Sequence, residues 1–179
     1  GFIALGKVED YSAEVVYRHE HTLAGPKKDR MEVLKATHAH FGQIFMLYPD
    51  PQKVTDALLA KVEQSAPDAV VTDEYNAVHR VWKIADPELI AAFQAAMADK
   101  KLLIADGHHR YETALGYRDA NPNVPDAGWV MMTFVNMHSE GLKILATHRV
   151  LQNLKGFDAA AFFERAQGVG IGLTRSVGD

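Results

Sequence analysis

In LLIADGHHRYETAL, residues 102–115, the polar side chains Asp106, His108, His109, Arg110 and Glu112 crowd around Gly107 directly after an apolar run. Tyr111, Ala114 and Leu115 fall at i, i+3 and i+4, so the residues after Gly107 form a helix with one inward face. A helix starting where a buried strand ends presents its unpaired N–H groups and the positive end of its dipole, which favour an anion. Gly107 permits a sharp turn or the close approach of a ligand. Arg110 can grip phosphate or carboxylate oxygens with two parallel hydrogen bonds. His108 and His109 add donors whose charge changes near neutral pH. Together these are the parts of a phosphate cradle over residues 105–112. Asp106 has two readings, a helix N-cap or an acid–base group. A metal held jointly by His108 and His109 is not expected, because successive helical residues diverge by about 100°.

Two other clusters carry chemistry. RHEHTLAGPKKDR, residues 18–30, gathers acidic, basic and imidazole side chains around a Gly-Pro turn. Glu20 is its candidate general base, and Lys27 and Arg30 are candidate phosphate contacts; the alternative is a solvated charged loop. Thr147-His148-Arg149 closes a predicted strand, and His148 and Arg149 are candidate anion contacts at a cleft. The alternative there is a cross-strand or surface pair. GVGIG, residues 168–172, follows a helix instead of joining a strand to one, so it reads as a C-cap and turn.

The elements that must position these residues follow from periodicity and punctuation. Residues 2–11 and 13–18 read as strands, 26–38 as a helix with Met31, Leu34 and His38 on one face, and 42–48 as a short apolar strand. Asp50-Pro51 and Asp86-Pro87 each read as an N-cap with proline at the first helical position. Val54, Leu58, Leu59 and Val62 stripe the first of these helices; Leu89, Ile90, Phe93 and Met97 stripe the second. Between them, residues 69–84 read as a hairpin turning near Glu74-Tyr75-Asn76. Residues 100–106, 128–137 and 142–150 read as further strands, 108–119 as a helix, and a last helix starts at Asp158. Its apolar face carries Ala159, Phe162, Phe163 and Ala166. Strands alternate with helices without strict βαβ regularity, so the expected fold is α/β (α+β), a mixed sheet flanked by helices, in one domain over 1–179.

The 179 residues suffice for a domain with a hydrophobic core. Hydrophobic residues make up 47% and charged residues 23%, as in globular proteins generally. A net charge of −4 disfavours a nucleic-acid partner, since such domains carry a basic excess. Cysteine is absent, which excludes a disulfide framework, a thiolate zinc site and a cysteine nucleophile, and points to a cytoplasmic location. No apolar run approaches the roughly 20 residues that cross a bilayer, so no membrane partner is expected. The chain opens inside an apolar segment without an initiator methionine and is expected to be a fragment of a longer protein.

GFIALGKVEDY, HEHTLAGPKKDR, IFMLYPD, IADGHHRYETAL, VNMHSEGLKIL and THRV occur in this order. Together they resemble a family of bacterial and archaeal proteins, the domain of unknown function family 1015, over essentially the whole chain. More distantly, DGHHRYETA is similar to the phosphate-binding turn of the ParB/sulfiredoxin superfamily. Gly107, His109, Arg110 and Tyr111 match the sulfiredoxin pattern Gly-Cys-His-Arg followed by Tyr, and His108 stands where that pattern has its catalytic cysteine. The resemblance implies that His109 and Arg110 hold nucleotide phosphates, while the absence of cysteine excludes sulfinic-acid reduction. Free-serine kinases of the same superfamily need no cysteine and activate serine with an acidic residue, which makes Glu20 the implied base and Asp106 its substitute. The expectation is therefore a phosphotransferase using ATP, ADP or CTP with Mg2+ on a small hydroxyl compound. The alternative is a ParB-like nucleotide-binding regulatory module without metabolite kinase activity. The oligomeric state is not legible.

Overall fold

The computed structural model of the chain describes residues 1–22, 24–145 and 152–167. The chain divides into two compact units, Gly1–Lys143 and Ile144–Asp179. In the first, strands β1 (Phe2–Lys7), β2 (Val16–Tyr17), β3 (Ile44–Tyr48), β6 (Leu102–Asp106) and β7 (Trp129–Asn136) form a five-stranded sheet in the order β1-β7-β3-β6-β2. β1 pairs β7 and β3 pairs β6 antiparallel; β3 pairs β7 and β2 pairs β6 parallel. This is the mixed α/β sheet that the alternation of elements implies. β4 (Ala69–Thr72) and β5 (Val78–Val81) form a separate hairpin with Ala69 opposite Val81, as expected.

Alternation along the strands decides which face is buried. Ile44, Met46 and Tyr48 of β3 and Val130, Met132 and Phe134 of β7 pack together with Ile104 of β6. Onto this face comes helix α4 (His108–Ala120), which contributes Tyr111 and Ala114 to the same core. Helix α1 (Ala24–Thr37) packs beside α4 through Leu34 and Met31 against Tyr117. Helix α3 (Pro87–Met97) starts as its sequence says: Asp86 accepts a hydrogen bond from the Glu88 N–H, with Pro87 in the first turn.

Four local expectations are corrected. The first two predicted strands are shorter, because a 3-10 turn over Tyr11–Ala13 with Glu14 left-handed (φ 53°) breaks the extended run between β1 and β2. Helix α2 (Val54–Val62) begins after Asp50-Pro51: Lys53, left-handed at φ 55°, precedes it, and Val54 of the predicted apolar stripe is exposed. Asp50 nonetheless caps from a distance, its buried Oδ2 accepting from the Thr55 N–H at 2.8 Å and the Thr55 hydroxyl at 2.7 Å. Residues 142–145 of the strand expected at 142–150 are not extended into a ladder, and the remainder, with His148 and Arg149, lies outside the described residues, as does GVGIG.

In the second unit, helix α5 (Ala159–Gln167) is capped by Asp158, whose Oδ1 accepts from the Ala160 and Ala161 N–H groups at 2.9 and 3.1 Å. No helix among the described residues is long and apolar enough to cross a membrane.

The buried Asp50 carboxylate joins α2 to the sheet. Asn136 at the end of β7 accepts from the Asp50 N–H at 3.1 Å and donates to the Asp50 carbonyl at 2.9 Å, and Tyr48 shares a 2.8 Å hydrogen bond with Thr55. Replacing Asp50→Ala strands the Thr55 donors in a dry site. The expected loss is roughly 1–3 kcal/mol of stability, measured by urea denaturation; an unchanged midpoint would show the network to be dispensable.

Candidate functional site

The site is built where β6 ends and α4 begins. Gly107 turns the chain at φ 98°, a conformation that L side chains rarely adopt, and its carbonyl accepts the first helical hydrogen bond, from Tyr111. A glycine at the capping position offers this helix no capping side chain. The N-cap reading of Asp106 is thereby corrected: Asp106 still belongs to the strand, opposite Phe45, and the capping position falls on Gly107. Its exposed carboxylate instead takes Arg110 Nη2 at 2.7 Å, one turn further on.

Arg110 folds back over the turn. A β-carbon at Gly107 would meet its Nε and Nη2 at 3.0 Å, and one at Gly42 would meet its Nη1 at 3.2 Å. Nε is buried and has no hydrogen-bond partner among the described residues. The guanidinium borders a cavity of about 240 Å³ with Arg30, His40, Phe41, Gly42 and Thr113. Burial holds the His40 imidazole below its ordinary value of 6.5, so the Arg30 and Arg110 guanidiniums carry the positive charge along this wall.

His108 points the other way, into the protein, and its side chain is only 1% exposed. Glu20, on the segment after β2, reaches its Nδ1 at 3.0 Å, while the His19 N–H lies 3.4 Å from its Nε2. Burial lowers the His108 pKa, outweighing the opposing charge of Glu20. The ring is therefore neutral near pH 7, with Nδ1–H donating to the carboxylate. The His19 ring stands edge-on to it, centroids 4.5 Å apart, and donates Nδ1–H to the Ile104 carbonyl at 2.9 Å.

One turn along α4, Glu112 gathers the rest of the 18–27 segment. Its Oε1 takes Arg18 Nη1 at 3.1 Å and its Oε2 takes Lys27 Nζ at 2.9 Å; the Thr22 hydroxyl also donates to Oε2. Tyr11 reaches Oε1 at 3.5 Å, and Arg18 lies over the Tyr11 ring at 4.7 Å. Burial works against the Glu112 charge, but these hydrogen bonds and the Lys27 charge outweigh it and hold the carboxyl below its ordinary 4.5.

Of the residues singled out from sequence, Glu20 and His108 meet in one contact, and Gly107, Arg110 and Asp106 meet in another on the same turn. Arg30 stands across the cavity wall with Arg110, His109 follows half-buried in the first turn of α4, and Lys27 is engaged by Glu112. Sequence reasoning missed the reach of His19 and the part played by Glu112, which looks like any solvated helix residue. Its signal was its place one turn after His108, on the side facing the charged 18–30 segment.

A family described as "Protein of unknown function (DUF1015)" matches residues 1–170. No curated protein and no solved structure matches the chain.

Because the Glu112 pKa is depressed by folding, its stabilisation is fully present above the unfolded value near 4.5 and is lost as pH falls through the lower folded value. Glu112→Gln should cost roughly 1–3 kcal/mol at pH 7 by urea denaturation. It should also flatten the stability loss of the wild type on acidification below pH 4.5. Equal acid sensitivity of the two proteins would remove Glu112 from this role.

Proposed function

The chain belongs to the DUF1015 family, and we propose that it is a nucleotide-dependent phosphotransferase acting on a small hydroxyl compound, with free serine as the first acceptor to test. The observation that carries the reading is the buried, unpartnered Nε of Arg110 at an uncapped helix N-terminus. An arginine donor withheld from water and from protein acceptors is costly unless a ligand completes it, and the helix dipole beside it selects an anion. Arg30 on the wall of the same cavity supports a ligand with several anionic oxygens.

Phosphoryl transfer asks for positioning and charge neutralisation more than for covalent help from the protein. The Gly107–Arg110 turn supplies both for the phosphates. Glu20, held against His108 at 3.0 Å, supplies with it the group that polarises the acceptor hydroxyl. Asp106 keeps the Arg110 guanidinium over the turn, and Lys27 tethers the segment that carries Glu20 through Glu112.

ATP, ADP and CTP are the donors to compare. Mg2+, which accompanies nucleotides, takes oxygen ligands; two imidazoles and one carboxylate beside the turn do not suit it as a resident ion. It would arrive on the nucleotide's own phosphates.

Transfer of phosphate from each nucleotide to serine, followed by phosphorus NMR, tests the reading. Arg110→Ala should weaken nucleotide binding at least ~10-fold, the worth of a charged hydrogen bond. Glu20→Gln should keep nucleotide affinity and lower transfer about 100-fold or more. No transfer to small hydroxyl compounds, together with no nucleotide-dependent rise in melting temperature, would overturn it.

A further inference from the structure

His19, Glu20 and His108 come from two segments 88 and more residues apart, yet each offers one ligand atom, and these atoms lie within 4.8 Å of one another. We propose that these three side chains hold a divalent transition-metal ion of the zinc, manganese or iron(II) class. The inference goes beyond phosphotransfer and stands without it.

The His19 ligand nitrogen is already set free, and His108 and Glu20 are already brought together. A carbonyl oxygen can only accept, so the 2.9 Å contact with Ile104 places the His19 proton on Nδ1 and leaves the Nε2 lone pair for a ligand. An imidazole whose second nitrogen is fixed by a backbone carbonyl is the usual support of a metal-binding histidine. His108 is buried and held on both ring nitrogens, by Glu20 and by the His19 N–H, so little ordering entropy remains to be lost on coordination. Its Nδ1 and Glu20 Oε1, 3.0 Å apart, are bridged by one proton, and a cation takes the place of that proton. The proton moves to Nε2 of the same ring, where the long 3.4 Å contact from the His19 amide gives way.

The donor set chooses the ion. Two imidazoles with one carboxylate suit Zn2+, Mn2+ and Fe2+, whereas Mg2+ and Ca2+ prefer oxygen throughout. Three protein ligands leave positions for water or a substrate oxygen, which is the pattern of a catalytic rather than a structural metal. An ion here would polarise a hydroxyl or phosphate oxygen brought to the same turn.

The test uses the full chain, stripped with a chelator and titrated with Zn2+ and with Mn2+ by calorimetry in the absence of nucleotide. One ion per chain is expected. His19→Ala and Glu20→Gln, both exposed side chains whose loss leaves the core intact, should each weaken binding at least ~10-fold. Arg110→Ala should bind metal as the wild type does, which separates this outcome from failure of the phosphate reading. Co2+ should give a visible absorption band with the wild type and lose it with His19→Ala. Less than stoichiometric uptake, or equal affinity in wild type, His19→Ala and Glu20→Gln, would overturn the assignment.

Discussion

The Glu112 carboxylate is the fixed point on which the candidate site depends. It is one side chain on α4, yet it takes hydrogen bonds from Arg18, Thr22 and Lys27 of a segment that pairs with the sheet only through the two-residue β2. Without a half-buried anion to meet, two cations and a hydroxyl would leave that segment to the solvent. Surface ion pairs contribute little singly; here three donors converge on one carboxylate whose side chain is 13% exposed. Its consequence is positional, because Glu20 and His19 sit between Arg18 and Thr22 and are carried to His108 by the same tether.

Helix α4 is also fastened from below. The Tyr111 hydroxyl donates to the Glu9 carbonyl and accepts from the Glu9 N–H, both at 2.8 Å, and burial pushes its pKa up to about 12. Arg118 donates to the Val8 carbonyl at 2.8 Å and pairs with Asp10 at 2.9 Å. The Val8 carbonyl and both Glu9 backbone groups are thus satisfied by α4 side chains, while the Val8 N–H bonds the Gly128 carbonyl just before β7. These contacts at the first and third turns hold α4, and with it the Gly107 turn, against the segment that follows β1. Rigid placement of this kind is what a binding turn needs, since a shift of about 1 Å costs most of the benefit of a preformed site.

The two adjacent histidines divide the labour of the turn. Adjacent on a helix, His108 and His109 diverge, and His108 turns inward to meet Glu20. The group of side chains close enough to share a cation takes in His19 rather than His109. Arg110, two positions on, is directed to the opposite side and folds over Gly107 towards Arg30 and Phe41. The single turn of helix therefore serves two neighbouring environments, one basic and open to a cavity, the other imidazole-rich and set against the sheet.

By itself the sequence determined what depends on local periodicity and on residue type. The mixed sheet, the Asp86-Pro87 helix start, the hairpin and the turn at Gly107 were legible, because strand alternation, capping and left-handed glycine are written within a few residues. The start of α2 was not, because Asp50 caps through a buried long-range network with Asn136 that no local pattern records. Nor was the N-cap at Asp106, where a strand pairing with Phe45 outweighed the side chain's capping preference. Only the tertiary structure decided that Glu112 binds the 18–27 segment and that His19 joins Glu20 and His108. Charge pairing and coordination act through space over a few ångströms, and about ninety residues of chain separate these partners. Sequence spacing fixes which chemistry is present; the folded path of the backbone fixes which groups meet.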